Sequence, residues 1–97
     1  MQFEFLPPAQ TELAEAVAHY NEEREGLGAE FAVEVYRAIR RIVGHPLAWT
    51  KITKRVRLCR TKRFPYGIIY QVRVEGILIV AVMHLRRRPG HCRDRLK

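Results

Sequence analysis

Apolar positions along this chain follow three successive periods, and each predicts an element. Residues 2–6 (QFEFL) alternate polar and apolar, which suits a short half-buried strand, and Pro7 with Pro8 then stops it. Proline is tolerated in a helix's first turn, where its missing N–H has no intrahelical partner anyway. Ala9, Leu13, Ala16, Val17 and Tyr20 then recur at helical spacing and predict a first helix with one buried stripe. Gly26 and Gly28 flank Leu27 and supply the permissive backbone of a C-cap and tight turn. Phe31, Val35, Ala38, Ile39 and Ile42 make the stripe of a second helix, which Gly44, His45 and Pro46 end. So short a link implies an antiparallel helical hairpin with its Glu and Arg residues on the outward faces.

After the hairpin the period changes to two. Residues 47–55 read as a basic connector whose Trp49, the single tryptophan, plugs the hairpin against the sheet. Val56 and Leu58 then point one way and Arg57 and Cys59 the other, a strand that ends at Arg60. Past a basic loop and Pro65, residues 66–74 form the next strand, with Tyr66, Ile68, Tyr70, Val72 and Val74 on one face. Glu75 and Gly76 read as a two-residue hairpin turn. Residues 77–85 run back, apolar on both faces and therefore central, and strict alternation puts His84 with Leu78, Val80 and Val82. The expected fold is α+β in the order β-α-α-β-β-β: an antiparallel helical hairpin packed on a mainly antiparallel four-stranded sheet. It is read as one domain over residues 1–97 with a flexible tail from about 89, and one sheet face is left incompletely covered as a partner surface.

Charge sharpens this picture because it is segregated. Residues 1–48 carry eight acids against four bases, net −4, whereas residues 49–97 carry fourteen Lys and Arg against Glu75 and Asp94, net +12. Such a field draws phosphates or an acidic protein, in a salt-dependent way. The longest apolar run, residues 77–83, falls far short of the roughly 18 residues that span a bilayer. With no basic leader ahead of an apolar stretch, a cytoplasmic protein without membrane partners is expected. Cys59 and Cys92 lack the spacing of a zinc site or a disulfide framework. His84, His91 and Cys92 have no evident fourth ligand, so neither metal nor cofactor is expected.

The order of elements, with Arg-Leu-Cys-Arg at 57–60, Arg-Phe-Pro-Tyr-Gly-Ile-Ile-Tyr-Gln-Val at 63–72 and His-Leu-Arg-Arg-Arg-Pro at 84–89, resembles the RelE/ParE superfamily of bacterial toxins. The Gly-Leu-Gly turn at 26–28, Phe31 and the Pro46 to Trp49 spacing extend the resemblance over nearly the whole chain. It implies the toxin of a type II toxin–antitoxin module, silenced in a hetero-oligomer by a cognate acidic antitoxin that wraps over helices and sheet. Members of the superfamily divide by target: ParE-like toxins trap DNA gyrase on broken DNA, and RelE-like toxins cut mRNA in the ribosomal A site.

The residues leave that choice open. Cleavage through 2′-OH attack needs a base, cations for the phosphorane and an acid for the leaving oxygen. His84 closes an apolar strand and has the one side chain whose ordinary pKa suits proton transfer near neutrality. With Arg63, Arg87, Arg88 and His91 it forms the candidate catalytic set of a nuclease. Arg57, Arg60, Lys62, Arg63, Arg73, Arg86, Arg87 and Arg88 are the candidate residues for binding target or antitoxin, several of them expected to converge at one end of the sheet. Where many relatives carry an aromatic pair after the Arg-X-Pro segment, this chain has His91 and Cys92, and no tyrosine follows Tyr70. That departure favours a ParE-like gyrase inhibitor, with the ribosome-dependent mRNA endonuclease as alternative and a non-toxic basic nucleic-acid-binding module as the third reading.

Overall fold

The computed structural model describes residues 2–86. Strand β1 (Phe3–Phe5) leads into helix α1 (Pro7–Glu23), whose first turn is the Pro7–Pro8 pair. Helix α2 (Leu27–Gly44) follows a turn in which Gly26 has φ +86°, the left-handed conformation that favours glycine. Strands β2 (Thr50–Lys51), β3 (Arg57–Arg60), β4 (Tyr66–Arg73) and β5 (Gly76–His84) complete the chain's described part. Gly28 is the contact point of the helical hairpin. Its N–H donates to the Asn21 Oδ1 at 2.8 Å, and a Cβ there would stand 2.3 Å from the Val17 carbonyl oxygen.

The helical stripes read from the sequence are the ones the core uses. Phe31, Val35, Ala38, Ile39 and Ile42 of α2 are buried with Ala9, Ala16 and Tyr20 of α1, against Ile68, Tyr70, Ile77, Ile79 and Val82 of the sheet. Each such large apolar side chain contributes roughly 1.5–3 kcal/mol through removal from water. Trp49 packs on this core and its indole N–H donates to the Arg41 carbonyl at 3.2 Å, which ties the connector to the end of α2.

The sheet departs from expectation in four ways. It has five strands, not four, in the order β1-β5-β4-β3-β2, and it is mixed: β1 runs parallel to β5 while the other pairs are antiparallel. The extra strand β2 lies inside the basic connector, and both its residues are exposed, so it has no apolar alternation to betray it. The β4–β5 turn is Val74–Glu75, because Arg73 pairs with Gly76. Gly76, at φ +140°, serves a different purpose: β1 crosses so close that a Cβ would lie 2.3 Å from the Gln2 carbonyl oxygen, the group that accepts the Ile77 N–H.

A β-bulge is the third departure. Ile69 pairs with Ala81 and Tyr70 with Ile79, which leaves Val80 as the extra residue. Ile77, Ile79 and Val82 consequently join the core under the helices, while Val80, Ala81 and Met83 are buried with Val56 and Ile69 in a second cluster. His84 therefore shares a side with Val82 but not with Leu78 and Val80, as strict alternation had it. Fourth, the second cluster closes much of the sheet face expected to be incompletely covered, with Leu6, Ile52, Leu58 and Leu78 packed around it. The helix charges are also not all outward. Glu34 is buried, with Oε2 accepting from Arg37 at 3.1 Å and Oε1 without a partner among the described residues.

Candidate functional site

Antiparallel pairing separates the candidate cations into two groups. Arg60 pairs with Gly67 and Tyr66 with His84, so Arg60, Lys62, Arg63, His84 and Arg86 belong to one end of the sheet. Arg57 pairs with Tyr70, and Arg73 with Gly76 at the hairpin, so these two lie toward the opposite end. The expected convergence at one end thus holds for only part of the set. Arg87, Arg88 and His91 lie outside the described residues.

At the His84 end the loop between β3 and β4 is tightly built. The Thr61 N–H donates to the Tyr66 carbonyl at 2.9 Å, and its hydroxyl is shared between the carbonyls of Phe64, at 3.0 Å, and Tyr66, at 3.1 Å. Beneath it the rings of Tyr20, Phe31, Phe64 and Tyr66 stack edge-on or tilted, with centroids 4.8–6.1 Å apart. This packing brings the first turn of α2 to the loop, and Arg63 donates to Glu30 Oε1 at 2.8 Å while Arg24 holds Oε2 at 2.9 Å. The Arg63 and Arg24 guanidiniums hold the Glu30 carboxyl below its ordinary range. Arg63 also has φ +71°, a conformation that costs a non-glycine residue roughly 1–2 kcal/mol. Its guanidinium lies 5.3 Å from the Phe64 ring centroid. Arg63 is therefore a structural tie between loop and helix.

His84 is similarly engaged. Its Nδ1 accepts the Arg86 backbone N–H at 3.2 Å, and its ring meets Tyr66 edge-on at 5.3 Å. The cleft beside it, about 280 Å³, is lined by Glu12, Glu15 and His19 of α1 as well as Tyr66. Glu12 Oε1 accepts the Val82 N–H at 3.1 Å. Two carboxylates beside the imidazole make this a poor seat for an RNA phosphate, and neither was foreseen. They lie on the helix far back in sequence, and only the α1 packing on β5 brings them there. No group of three or more His, Cys, Asp or Glu side chains is arranged to hold a metal among the described residues.

The opposite end presents a cleft of about 500 Å³ lined by Lys54, Arg55, Arg57, Gln71 and Arg73, with Leu47 and Val72. Arg57 is braced by donation to the Trp49 carbonyl at 2.9 Å, and Arg73 by a forked pair of bonds to Gln71 Oε1 at 2.9 and 3.0 Å. Lys54 and Arg55 read in the sequence only as part of the basic connector. The density of cations from Lys51 to Arg57 was the signal available. A third surface joins β1 to the outer side of α2. Phe3, Val33 and Tyr36 are 40%, 48% and 46% exposed, and Arg37 and Arg40 flank a groove of about 410 Å³ beside them.

Two helices on a mixed five-stranded sheet, with an exposed apolar patch on the outer side of α2 and cations at both sheet ends, define a small α+β protein. Residues 3–89 match the family described as ParE toxin of type II toxin-antitoxin system, parDE. The chain belongs to that family and is a ParE-like toxin of a type II toxin–antitoxin module. Among solved structures its fold is similar to one titled "Chromosomal ParDE TA system from P. aeruginosa", with a TM-score of 0.76 over 88% of this chain and 96% of that one. Sequence identity is 16%, so that likeness concerns the fold. No curated protein matches the chain. No helix among the described residues is long and apolar enough to cross a membrane.

Proposed function

We propose that this chain is a cytoplasmic bacterial toxin of the RelE/ParE superfamily, acting as one domain, and that its target is DNA gyrase, not mRNA on the ribosome. The observation that carries the choice is the state of the nuclease candidates. Arg63 is occupied by Glu30, and His84 faces a cleft lined by Glu12 and Glu15, whose charge opposes the approach of an RNA phosphate. A phosphorane needs uncommitted cations beside its base, and the two members of the candidate catalytic set among the described residues, Arg63 and His84, are otherwise engaged.

The antitoxin reading draws support from the β1–α2 surface. Phe3, Val33 and Tyr36 offer apolar anchorage while Arg37 and Arg40 flank it, which suits an amphipathic acidic segment that folds as it binds and holds the toxin in a hetero-oligomer.

Induction of the chain in bacteria without its antitoxin tests the target. Growth arrest with filamentation and double-strand DNA breaks is the expected result; codon-related mRNA cleavage without breaks would overturn it. His84→Ala should leave toxicity unchanged, and a hundredfold loss of killing would return His84 to a catalytic role.

A further inference from the structure

We infer that the cleft at the Arg73 end of the sheet binds the phosphodiester backbone of a nucleic acid. Four cations, Lys54, Arg55, Arg57 and Arg73, line one cavity of about 500 Å³, and no carboxylate lines it among the described residues. At the other end of the sheet Glu30, Glu12 and Glu15 temper the positive charge; here the neighbouring acids, Glu4 and Glu75, share with Arg73 a separate cleft on its other side and make no ion pair with it.

Geometry adds to charge. Arg57 and Arg73 are held by the Trp49 carbonyl and the Gln71 amide oxygen, so their planar guanidiniums are already oriented. Such forks match phosphate oxygens and lose little freedom when they bind. Lys54 and Arg55 are exposed and free to follow the next phosphates along a strand. Exposed Leu47 and Val72 at the same cleft offer apolar contact to a sugar or base face. An acidic polypeptide is the competing ligand, and the β1–α2 groove, with more apolar anchorage, suits it better. The inference does not depend on gyrase as the target, since it concerns contact between the purified chain and nucleic acid alone.

Binding of the purified chain to a fluorescein-labelled 16-base-pair DNA duplex, followed by anisotropy from low to moderate salt, tests it. If all four cations meet phosphates, log K should fall with log salt at a slope of about −3 to −4. Lys54→Ala with Arg55→Ala should weaken binding about ten- to a hundredfold near 0.1 M salt and reduce the slope by about two. Arg24→Gln with Arg41→Gln removes the same charge from the helices, outside the cleft, and should leave affinity within about twofold; circular dichroism checks that both variants are folded, and Arg55→Ala alone serves if the double variant is not. Equal losses in both pairs would reduce the effect to net charge and overturn the inference. So would absence of binding at low salt, or displacement of the duplex by polyglutamate as readily as by unlabelled DNA at equal charge.

Discussion

The two ends of the sheet carry cations in similar density but put them to different use. At the His84 end, the ring cluster of Tyr20, Phe31, Phe64 and Tyr66 draws α2 onto the β3–β4 loop, so that an acid from the negative half of the chain reaches Arg63. At the Arg73 end, the cations meet only carbonyl and amide oxygens, which orient them without cancelling their charge. The difference teaches that the acidic first half of the chain forms its ion pair with the basic second half where a helix overlies the sheet, at Arg63 and Glu30. α2 has ended at Gly44 before the chain reaches the cleft residues, and its acids go no further.

The comparison breaks most severely if the ring cluster is removed. Phe31→Ala leaves a cavity among Tyr20, Phe64 and Tyr66 and should cost about 3–5 kcal/mol by chemical denaturation. A loss below about 1 kcal/mol would mean that the loop is not supported by this packing.

Next in size is Tyr70→Phe, nearer the open end. The fully buried phenol donates to the Pro46 carbonyl at 2.6 Å, and loss of that bond should cost about 1–2 kcal/mol. Burial pushes the Tyr70 phenol up to about 12, against the opposing pull of Arg57. Because the folded value is raised, the stability it confers is complete below the unfolded value near 10 and is lost as pH rises from there toward about 12. That part of the alkaline decline should be missing from the Phe variant in a pH series of thermal unfolding.

Smaller effects follow at Glu30. Its depressed pKa means that the stability it contributes is present above the ordinary carboxylate value and is lost as pH falls through the folded value. Glu30→Gln should therefore be less stable than the parent at neutral pH, with the gap closing on acidification and with added salt; a constant gap would mean that its ion pairs contribute nothing. The smallest change is expected from Arg55→Ala in the open cleft, within about 0.5 kcal/mol of the parent. A larger cost would show that the cleft cations support the fold and are not held available for a ligand.

Much of the helical layer was legible because period and punctuation agree. The stripe from Phe31 to Ile42 is buried throughout, and Gly26 serves the turn as its composition indicated, whereas Leu27 and Gly28 already belong to the first turn of α2. Strand β2 was not, since a two-residue strand with both residues exposed has no period to read. The face occupied by His84 was misread for a related reason: the bulge at Val80 adds one residue and exchanges the sides of everything before it. The hairpin turn was displaced by one residue because Gly76 answers to the close crossing of β1, a contact between residues 74 positions apart.

The sequence alone determined the helical hairpin, the central place of β5, the surplus of cations in the second half and the family resemblance. These depend on local spacing, on composition and on the order of elements. Tertiary structure decided which cations remain available. Arg63 and Arg73 are both arginines beside β4, yet one meets a carboxylate delivered by α2 and the other an amide oxygen two residues away in its own strand. Coulomb attraction falls with distance and with screening, so a charge is silenced by the partner that packing brings within 3 Å, whatever the count of charges along the chain.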